Sequence, residues 1–179
     1  MRVFIAIDVS EEIKNYLKEL QKEIKDFDPN AKLTYPNDFH ITLKFLGEVD
    51  DSKTEQIKNL LEKASFIPFS LKLSNPGYFD DKLLRVAWVG IDDSKENIAD
   101  LQKGIDKQLI YFFPKEKSFK PHFTLARIRS VENPETYKEH IKNLKIEQKE
   151  FKADSFKLIK STLTKEGPVY EVLKEYKGI

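Results

Sequence analysis

The sequence predicts an α+β fold made of two repeated halves with the order β-α-β-α-β and a cleft between them. Three observations support this prediction. The chain has 179 residues, enough for one domain with a sizeable core. Its two halves carry similar strings in the same order. Within each half, apolar residues change from the spacing of a strand to the spacing of a helix and back.

The first strand and helix of each half come from related strings. RVFIAIDVSEEI at 2–13 resembles RVAWVGIDDSKENI at 85–98. In both, an apolar strand is followed by a serine, Ser10 or Ser94, and such a serine is typical of a helix N-cap. The apolar spacing then becomes helical, at Ile13, Tyr16, Leu17, Leu20 and Ile24 in one half and at Ile98, Leu101, Ile105 and Leu109 in the other.

The second strand and helix also repeat. FHITLKFLGEV at 39–49 aligns with PHFTLARIRSV at 121–131, and the histidine, threonine, leucine and final valine are identical. A helix is predicted after each, over 52–64 and 134–144, and both contain IKNL. Further strands are predicted at 69–73, 82–91, 156–160 and 168–173, the last after a turn at Glu166 and Gly167.

The two halves meet without a flexible linker. The junction, at 75–81, reads as an Asn-Pro-Gly turn. We therefore expect one compact domain, 1–179, made of two lobes at about 1–80 and 81–179 and related by a pseudo-twofold axis. A groove between such lobes is a usual place for a binding site.

Composition excludes several classes of function. Charged residues make up 34% and hydrophobic residues 40% of the chain, a globular balance. The net charge of +1 gives no general attraction to nucleic acid or membrane, so an anionic partner must meet a local patch. The absence of cysteine excludes disulfides, thiolate zinc sites and a cysteine nucleophile. Because no apolar run approaches the ~20 residues of a membrane helix and no signal peptide is present, we expect a soluble cytoplasmic protein.

Two histidines share the pattern His-apolar-Thr-Leu. Strand alternation places His40 and Thr42 on one face, with the apolar residues between them in the core. His122 and Thr124 repeat this arrangement. A single histidine of this kind is more often a packed or surface residue. Two copies at equivalent places favour function, because packing gives no reason to keep a titratable residue and a hydroxyl in both halves.

Two facing imidazoles can carry out acid–base chemistry at phosphorus. Their ordinary pKa of about 6.5 lets one remove a proton from the attacking oxygen while the other protonates the leaving oxygen. The threonine hydroxyls would stabilise charge on the non-bridging oxygens. No carboxylate lies at ligand spacing, so we expect no metal site. His140, in a polar helix without a threonine partner, is predicted to be a solvated surface residue.

The duplicated motif, with the strings at 2–13, 39–49 and KPHFTLARI at 120–128, resembles the 2H phosphoesterase superfamily. More narrowly, the whole chain resembles the RNA 2′,3′-cyclic phosphodiesterases, or 2′-5′ RNA ligase family. The resemblance implies antiparallel sheets that line the cleft. It also implies metal-independent, cofactor-free opening of a terminal 2′,3′-cyclic phosphate to a 2′-phosphate. Some members also join RNA ends through 2′-5′ linkages.

The resemblance also implies roles for two further residues. Phe45, five residues after His40, would stack on the terminal base, and Arg127, five after His122, would contact phosphate. Strict alternation puts both on the face opposite the histidines, so they reach the cleft only if the strand ends, twists or bulges. The alternatives are a core aromatic for Phe45 and a surface residue for Arg127.

The resulting hypothesis has His122 as general base and His40 as general acid, with Thr42, Thr124 and Arg127 stabilising the phosphate charge. Four further cations could form a basic rim or lie on ordinary surface: Lys44, Lys117, Lys120 and Arg129. The expected partner is RNA ending in a 2′,3′-cyclic phosphate, tRNA fragments included. We expect a monomer, because the duplication supplies what a dimer would. RNA ligation, hydrolysis of a small cyclic phosphate and a non-catalytic RNA-end or nucleotide-binding module stay open as alternatives.

Overall fold

The computed structural model describes residues 1–36, 38–80, 84–92, 96–165 and 167–179, and shows an α+β fold with two antiparallel sheets. The elements within these ranges are β1 (Arg2–Asp8), α1 (Glu11–Phe27), β2 (Lys32–Thr34), β3 (His40–Glu48), α2 (Asp51–Leu61), β4 (Phe69–Phe79), β5 (Val86–Asp92), α3 (Asn97–Leu109), β6 (His122–Ser130), α4 (Pro134–Asn143), β7 (Glu150–Ala153), β8 (Ser155–Thr164) and β9 (Gly167–Lys177).

Each sheet combines strands from both halves of the sequence. The four-stranded sheet has the order β3-β1-β8-β9, and the five-stranded sheet has the order β2-β6-β5-β4-β7. Strands β8 and β9 therefore join the first half, while β2 and β4 join the second. The repeat boundary expected near residue 80 divides the sequence pattern but does not divide the sheets.

The predicted repeat order is confirmed, with β1-α1-β3-α2-β4 followed by β5-α3-β6-α4-β8. The apolar positions predicted for α1 and α3 are all buried. Ser10 caps α1, because its hydroxyl accepts a hydrogen bond from the Ile13 N–H. Ser94 lies outside the described residues, and α3 has Glu96 at its N-cap position. The short strands β2 and β7 were not predicted.

The turn predicted at the Asn-Pro-Gly sequence is wrong, because Asn75, Pro76 and Gly77 lie within β4. Proline has no N–H to donate, but the pairing of β4 with β7 ends at Lys72, so none is required on that side. Glycine is required at position 77, since a Cβ there would lie 2.3 Å from the Trp88 ring. Asp81, at the end of the predicted junction, lies outside the described residues.

The four-stranded sheet buries apolar residues on both faces. Val3, Ile5 and Ile7 belong to the main core beneath the helices. The alternate residues Phe4 and Ala6 form a second, small cluster on the opposite face, with Ile159 and with Tyr170 packed against it. No helix in the described ranges is long and apolar enough to cross a membrane.

Candidate active site

The two predicted histidines occupy equivalent places, each as the first residue of its strand, β3 or β6. The nine residues of the two strands have the same sequence of buried, half-buried and exposed positions. His40 and Thr42 are half-buried while Ile41 is fully buried, which confirms the predicted faces. Strand β3 packs against β6 across the two sheets, so the two motifs lie close together.

A β-bulge interrupts β3 directly after the motif. In the pairing with β1, Ile5 lies opposite Lys44 and Ala6 lies opposite Thr42, which leaves Leu43 as the extra residue. A bulge of this kind places two consecutive residues on one side of the strand and reverses the alternation beyond them. Both Leu43 and Lys44 are accordingly buried.

Strand β6 has its bulge at the equivalent place. Its pairing with β5 skips Leu125 between Thr124 and Ala126. The reversed alternation leaves Phe45 and Arg127 exposed, on the same side of their strands as the histidines. Phe45 is 69% exposed, so the alternative of a core aromatic is wrong.

His40 lies against aromatic rings on the cleft face of the four-stranded sheet. The centroid of its ring is 4.9 Å from that of Phe4, and Tyr170 meets it edge-on at 5.3 Å. Phe45 packs near the same Phe4 ring, at 6.1 Å. The motif histidine, the exposed phenylalanine and Tyr170 therefore share one surface.

The groups around His40 shift its pKa in opposite directions. Burial lowers its pKa to about 4, and the charges of Arg127 and His122 act in the same direction. The carboxylates of Asp38 and Asp8 partly offset this by raising the pKa. His40 is thus neutral in the free protein at pH 7, and two carboxylates lie near enough to stabilise its protonated form.

His122 has a defined tautomer. Its Nδ1 lies 2.7 Å from the Lys120 carbonyl oxygen, which can only accept, so Nδ1 carries the hydrogen and Nε2 keeps its lone pair in the neutral ring. Burial lowers the His122 pKa; the bond to Lys120 opposes this, and the charges of Lys120 and Arg127 lower it further. Phe79 meets the ring edge-on at 4.8 Å, with Trp88 beyond it.

An ion network fixes the carboxylates beside His40. The Lys14 ammonium lies 3.1 Å from Asp8 and 3.0 Å from Asp38, and Lys157 donates a hydrogen bond to Asp8 at 2.9 Å. Desolvation acts to raise the Asp8 pKa, but these lysines and the Val9 N–H hold it below its ordinary value. The Asp8 carboxylate is thus ionised at neutral pH.

Among the residues that the structure describes, no carboxylate acts on the second histidine. Asp8 lies opposite His40 in the pairing of β1 with β3, whereas Gly90 lies opposite His122 in the pairing of β5 with β6. The ammonium of Lys120 instead sits 4.1 Å above the Trp88 ring, beside His122. Carboxylates therefore lie near His40, whereas an ammonium group lies near His122.

Lys44 was expected to belong to a basic rim or to lie on ordinary surface, and both expectations are wrong. It is 4% exposed, and its ammonium donates to Asp106 at 2.5 Å and to the Pro114 carbonyl at 2.7 Å. Asp106 also accepts from the Gln102 side chain and the Glu116 N–H. The buried pair thus links the strand of His40 to α3 and to the segment that leads to His122. Lys117, Lys120 and Arg129 are exposed.

His140 also differs from its prediction. It is half-buried and stacks on Phe27, with ring centroids 3.7 Å apart and planes 3° from parallel. The residue packs α4 against the end of α1, so the prediction of a solvated surface residue is wrong. It lies outside the cleft.

Sequence reasoning missed Tyr170, Asp8, Asp38, Phe79 and Trp88 as neighbours of the histidines. Tyr170 in particular carries no signal, since it reaches His40 only because β9 joins the sheet of the first half. Two surface cavities lie elsewhere, and neither is lined by His40 or His122. Among the residues that the structure describes, no three side chains come together as a potential metal-binding group.

Comparison with known proteins agrees with this geometry. The family described as LigT like Phosphoesterase matches twice, at residues 7–88 and 89–170. A Methanocaldococcus jannaschii protein named RNA 2′,3′-cyclic phosphodiesterase is 39% identical over 179 residues, covering 98% of this chain and 100% of the relative. A Thermotoga maritima protein of the same name is 34% identical and covers 98% and 94%.

Solved structures have the same fold. A crystal structure from Thermus thermophilus superposes with a TM-score of 0.79 at 27% identity, covering 99% of this chain and 97% of the other. Escherichia coli LigT complexed with 3′-AMP gives 0.76 at 25% identity, covering 99% and 96%. Since the family matches both halves, and named relatives match along the full length, the chain belongs to the LigT-like phosphoesterases, as the duplicated motif predicted.

Proposed function

We propose that this protein is an RNA 2′,3′-cyclic phosphodiesterase that opens a terminal cyclic phosphate to a 2′-phosphate without a metal ion. The observation that carries the proposal is the pair of histidines on β3 and β6, which pack against each other across the two sheets, with carboxylates acting on His40 and the Lys120 ammonium acting on His122. Curated relatives bear this activity in their names, and Escherichia coli LigT was solved with a 3′-phosphorylated nucleoside, 3′-AMP.

His122 suits the role of general base. The Lys120 carbonyl holds a hydrogen on Nδ1, so Nε2 is free to accept a proton from the attacking water. The charges of Lys120 and Arg127 disfavour the imidazolium, which keeps the ring neutral before the reaction. The base thereby starts in its active protonation state.

His40 suits the role of general acid. Its leaving-group proton is available only when the ring is protonated, and Asp38 and Asp8 favour that form. The negative charge of a bound phosphate adds to their effect and raises the pKa further. Protonation of the departing 3′ oxygen by His40 leaves the phosphate on the 2′ oxygen.

The remaining predicted residues are suited to binding the phosphate and the terminal base. Thr42 and Thr124 present hydroxyls on the same faces as the histidines, and the Arg127 guanidinium acts electrostatically on both rings. Arginine pairs with phosphate oxygens in a fixed, two-pronged geometry. The exposed Phe45 ring offers a face on which a terminal base can stack.

Both histidines come from one chain, so the proposed unit is a monomer. We propose a cytoplasmic role in processing RNA ends, tRNA fragments among them.

The test is turnover of an oligoribonucleotide ending in a 2′,3′-cyclic phosphate, in excess EDTA. The wild type should yield the 2′-phosphate, while His40→Ala and His122→Ala should each lose about a hundredfold or more in rate. His140→Ala is the matched control outside the cleft and should keep its activity. An inert wild type that recovers on addition of a divalent ion would overturn the metal-independent mechanism.

The acid and base can be told apart with a phosphodiester that carries an activated aryl leaving group. Such a leaving group departs without protonation, so His40→Ala should recover most of its activity. His122→Ala should stay impaired, because the attacking water still needs a base. The opposite pattern would exchange the two roles.

The alternatives have their own outcomes in the same assays. Joining of the cyclic end to a 5′-hydroxyl RNA would establish ligation. Rates that fall steeply with salt favour a long RNA substrate, and a weak dependence favours a small cyclic phosphate. Binding without product would support a non-catalytic module.

A further inference from the structure

Tyr170 lies in the cleft although it belongs to neither histidine motif. It is on β9, the edge strand of the four-stranded sheet, and it is half-buried. Its ring meets His40 edge-on at 5.3 Å and Phe4 at 5.4 Å, and it packs against the small cluster that contains Ile159. These contacts fix the ring beside the motif histidine.

The hydroxyl of Tyr170 has no hydrogen-bond partner among the residues that the structure describes. It is nevertheless placed among charges, since Arg127 from the five-stranded sheet and Asp38 both act on it. Burial raises the Tyr170 pKa, and Arg127 only partly opposes this, so the group remains a neutral phenol. A neutral phenol can donate one hydrogen bond across the cleft.

The His122 side offers no equivalent hydroxyl among the described aromatic neighbours. There the neighbouring rings are Phe79 and Trp88, and Trp88 is 7% exposed, lying over Gly77 and beneath the Lys120 ammonium. A donor on the His40 side therefore adds to the difference between the two ends of the cleft.

We propose that the Tyr170 hydroxyl donates a hydrogen bond to a non-bridging oxygen of the phosphate, on the side of His40. This rests on the proposed function only in that a phosphate occupies the space between the histidines. Tyr170 would then touch the substrate from the second half of the chain, while the histidine beside it comes from the first half.

The test compares Tyr170→Phe with Tyr176→Phe, the same substitution on the same strand. Tyr176 is buried on the other side of the sheet, and its hydroxyl donates to the Lys58 carbonyl at 3.2 Å. Tyr170→Phe removes a hydroxyl without a protein partner and should leave the melting temperature unchanged, whereas Tyr176→Phe should lower it. A hydrogen bond to a charged oxygen corresponds to about a ten- to hundredfold effect.

Two readouts are measured for each protein: the dissociation constant of inorganic phosphate, and kcat/KM on the cyclic-ended oligonucleotide. Tyr170→Phe should weaken phosphate binding and lower kcat/KM by that factor, and Tyr176→Phe should change neither. Phosphate binding equal to that of the wild type would overturn the proposal, as would failure of the wild type to bind phosphate. A wild type that binds phosphate through Tyr170 but is inert on the oligonucleotide would overturn the proposed function alone.

Discussion

His40 and His122 have the same place in the repeat and different chemistry around them. Burial and the charge of Arg127 lower the pKa of both, but the carboxylates of Asp38 and Asp8 act on His40, while the ammonium of Lys120 acts on His122. The two imidazoles thus share a place in the repeat, and their different neighbours suit the proposed base and acid. The pH dependence of the reaction should report this difference.

We expect the pH profile of kcat/KM to reach its maximum below about pH 6.5, the ordinary histidine pKa. In the proposed mechanism the reactive form needs a protonated His40 and a neutral His122, and burial places both pKa values of the coupled pair below the ordinary one. Asp38→Asn removes a charge that raises the His40 pKa, so less of His40 should be protonated at pH 7 and the activity there should fall. Asp28→Asn is the control, because Asp28, at the end of α1, is not among the charges that act on either histidine. An identical profile for Asp38→Asn and the wild type would contradict the assignment of the acid.

Phe45→Ala should weaken binding of an oligonucleotide end by about tenfold, the effect typical of one stacked base. Because the side chain is 69% exposed, its removal should change the unfolding free energy by less than about 0.5 kcal/mol. Tyr111, which is 95% exposed, provides the matched control, and Tyr111→Ala should bind as the wild type does. Equal losses in both variants would indicate non-specific contact with exposed aromatic rings.

At the scale of elements, the equivalent β-bulges in β3 and β6 determine which side chains lie on the same side of the strand as the histidine. Without the bulges at Leu43 and Leu125, Phe45 and Arg127 would point away from the histidines. The bulge also turns Lys44 inward, where Asp106 compensates its charge. Although burial acts to raise the pKa of Asp106, hydrogen bonds from Lys44, the Glu116 N–H and Gln102 hold it below its ordinary value.

Lys44→Met should destabilise the protein by about 3–5 kcal/mol, because it leaves the Asp106 carboxylate buried and unpaired. Lys44→Met combined with Asp106→Leu should recover most of that loss. Lys58→Met is the control: it removes an ion pair with the exposed Glu55 carboxylate and should cost less than about 1 kcal/mol. Urea unfolding of the wild type and the three variants measures these differences. A double variant no more stable than Lys44→Met would show that the unpaired Asp106 carboxylate does not cause the loss of stability.

Sequence patterns predicted the features that depend on neighbours in the chain. These include the burial of Ile41 between His40 and Thr42, the Ser10 cap and the apolar stripes of α1 and α3. The patterns failed where a residue's environment depends on a segment that is distant in the sequence. The partner of Lys44 is 62 residues away, and nothing in its own strand distinguishes it from a surface lysine. The Asn-Pro-Gly sequence has strong local turn signals, but the Trp88 ring packed on Gly77 keeps it in a strand.

At the scale of the whole molecule, exchange of strands makes the two halves of the repeat interdependent. In the four-stranded sheet, β1 lies between β3 of its own half and β8 of the other. In the five-stranded sheet, β4 lies between β5 and β7, both from the second half. The cleft is therefore formed only when both sheets are complete, and the His40 surface includes Tyr170 for the same reason.

We expect the full chain to unfold in a single cooperative transition, and residues 1–80 or 81–179 alone to lack stable structure. Each fragment would keep only part of each sheet and would expose the apolar core that the other half covers. Fluorescence of Trp88, the single tryptophan, reports on the five-stranded sheet, while far-ultraviolet circular dichroism reports on the whole chain. The two urea transitions should coincide for the full chain. A separate, earlier transition in either signal, or a fragment that unfolds cooperatively by itself, would show that the sequence halves are independent folding units and that the strand exchange adds little to stability.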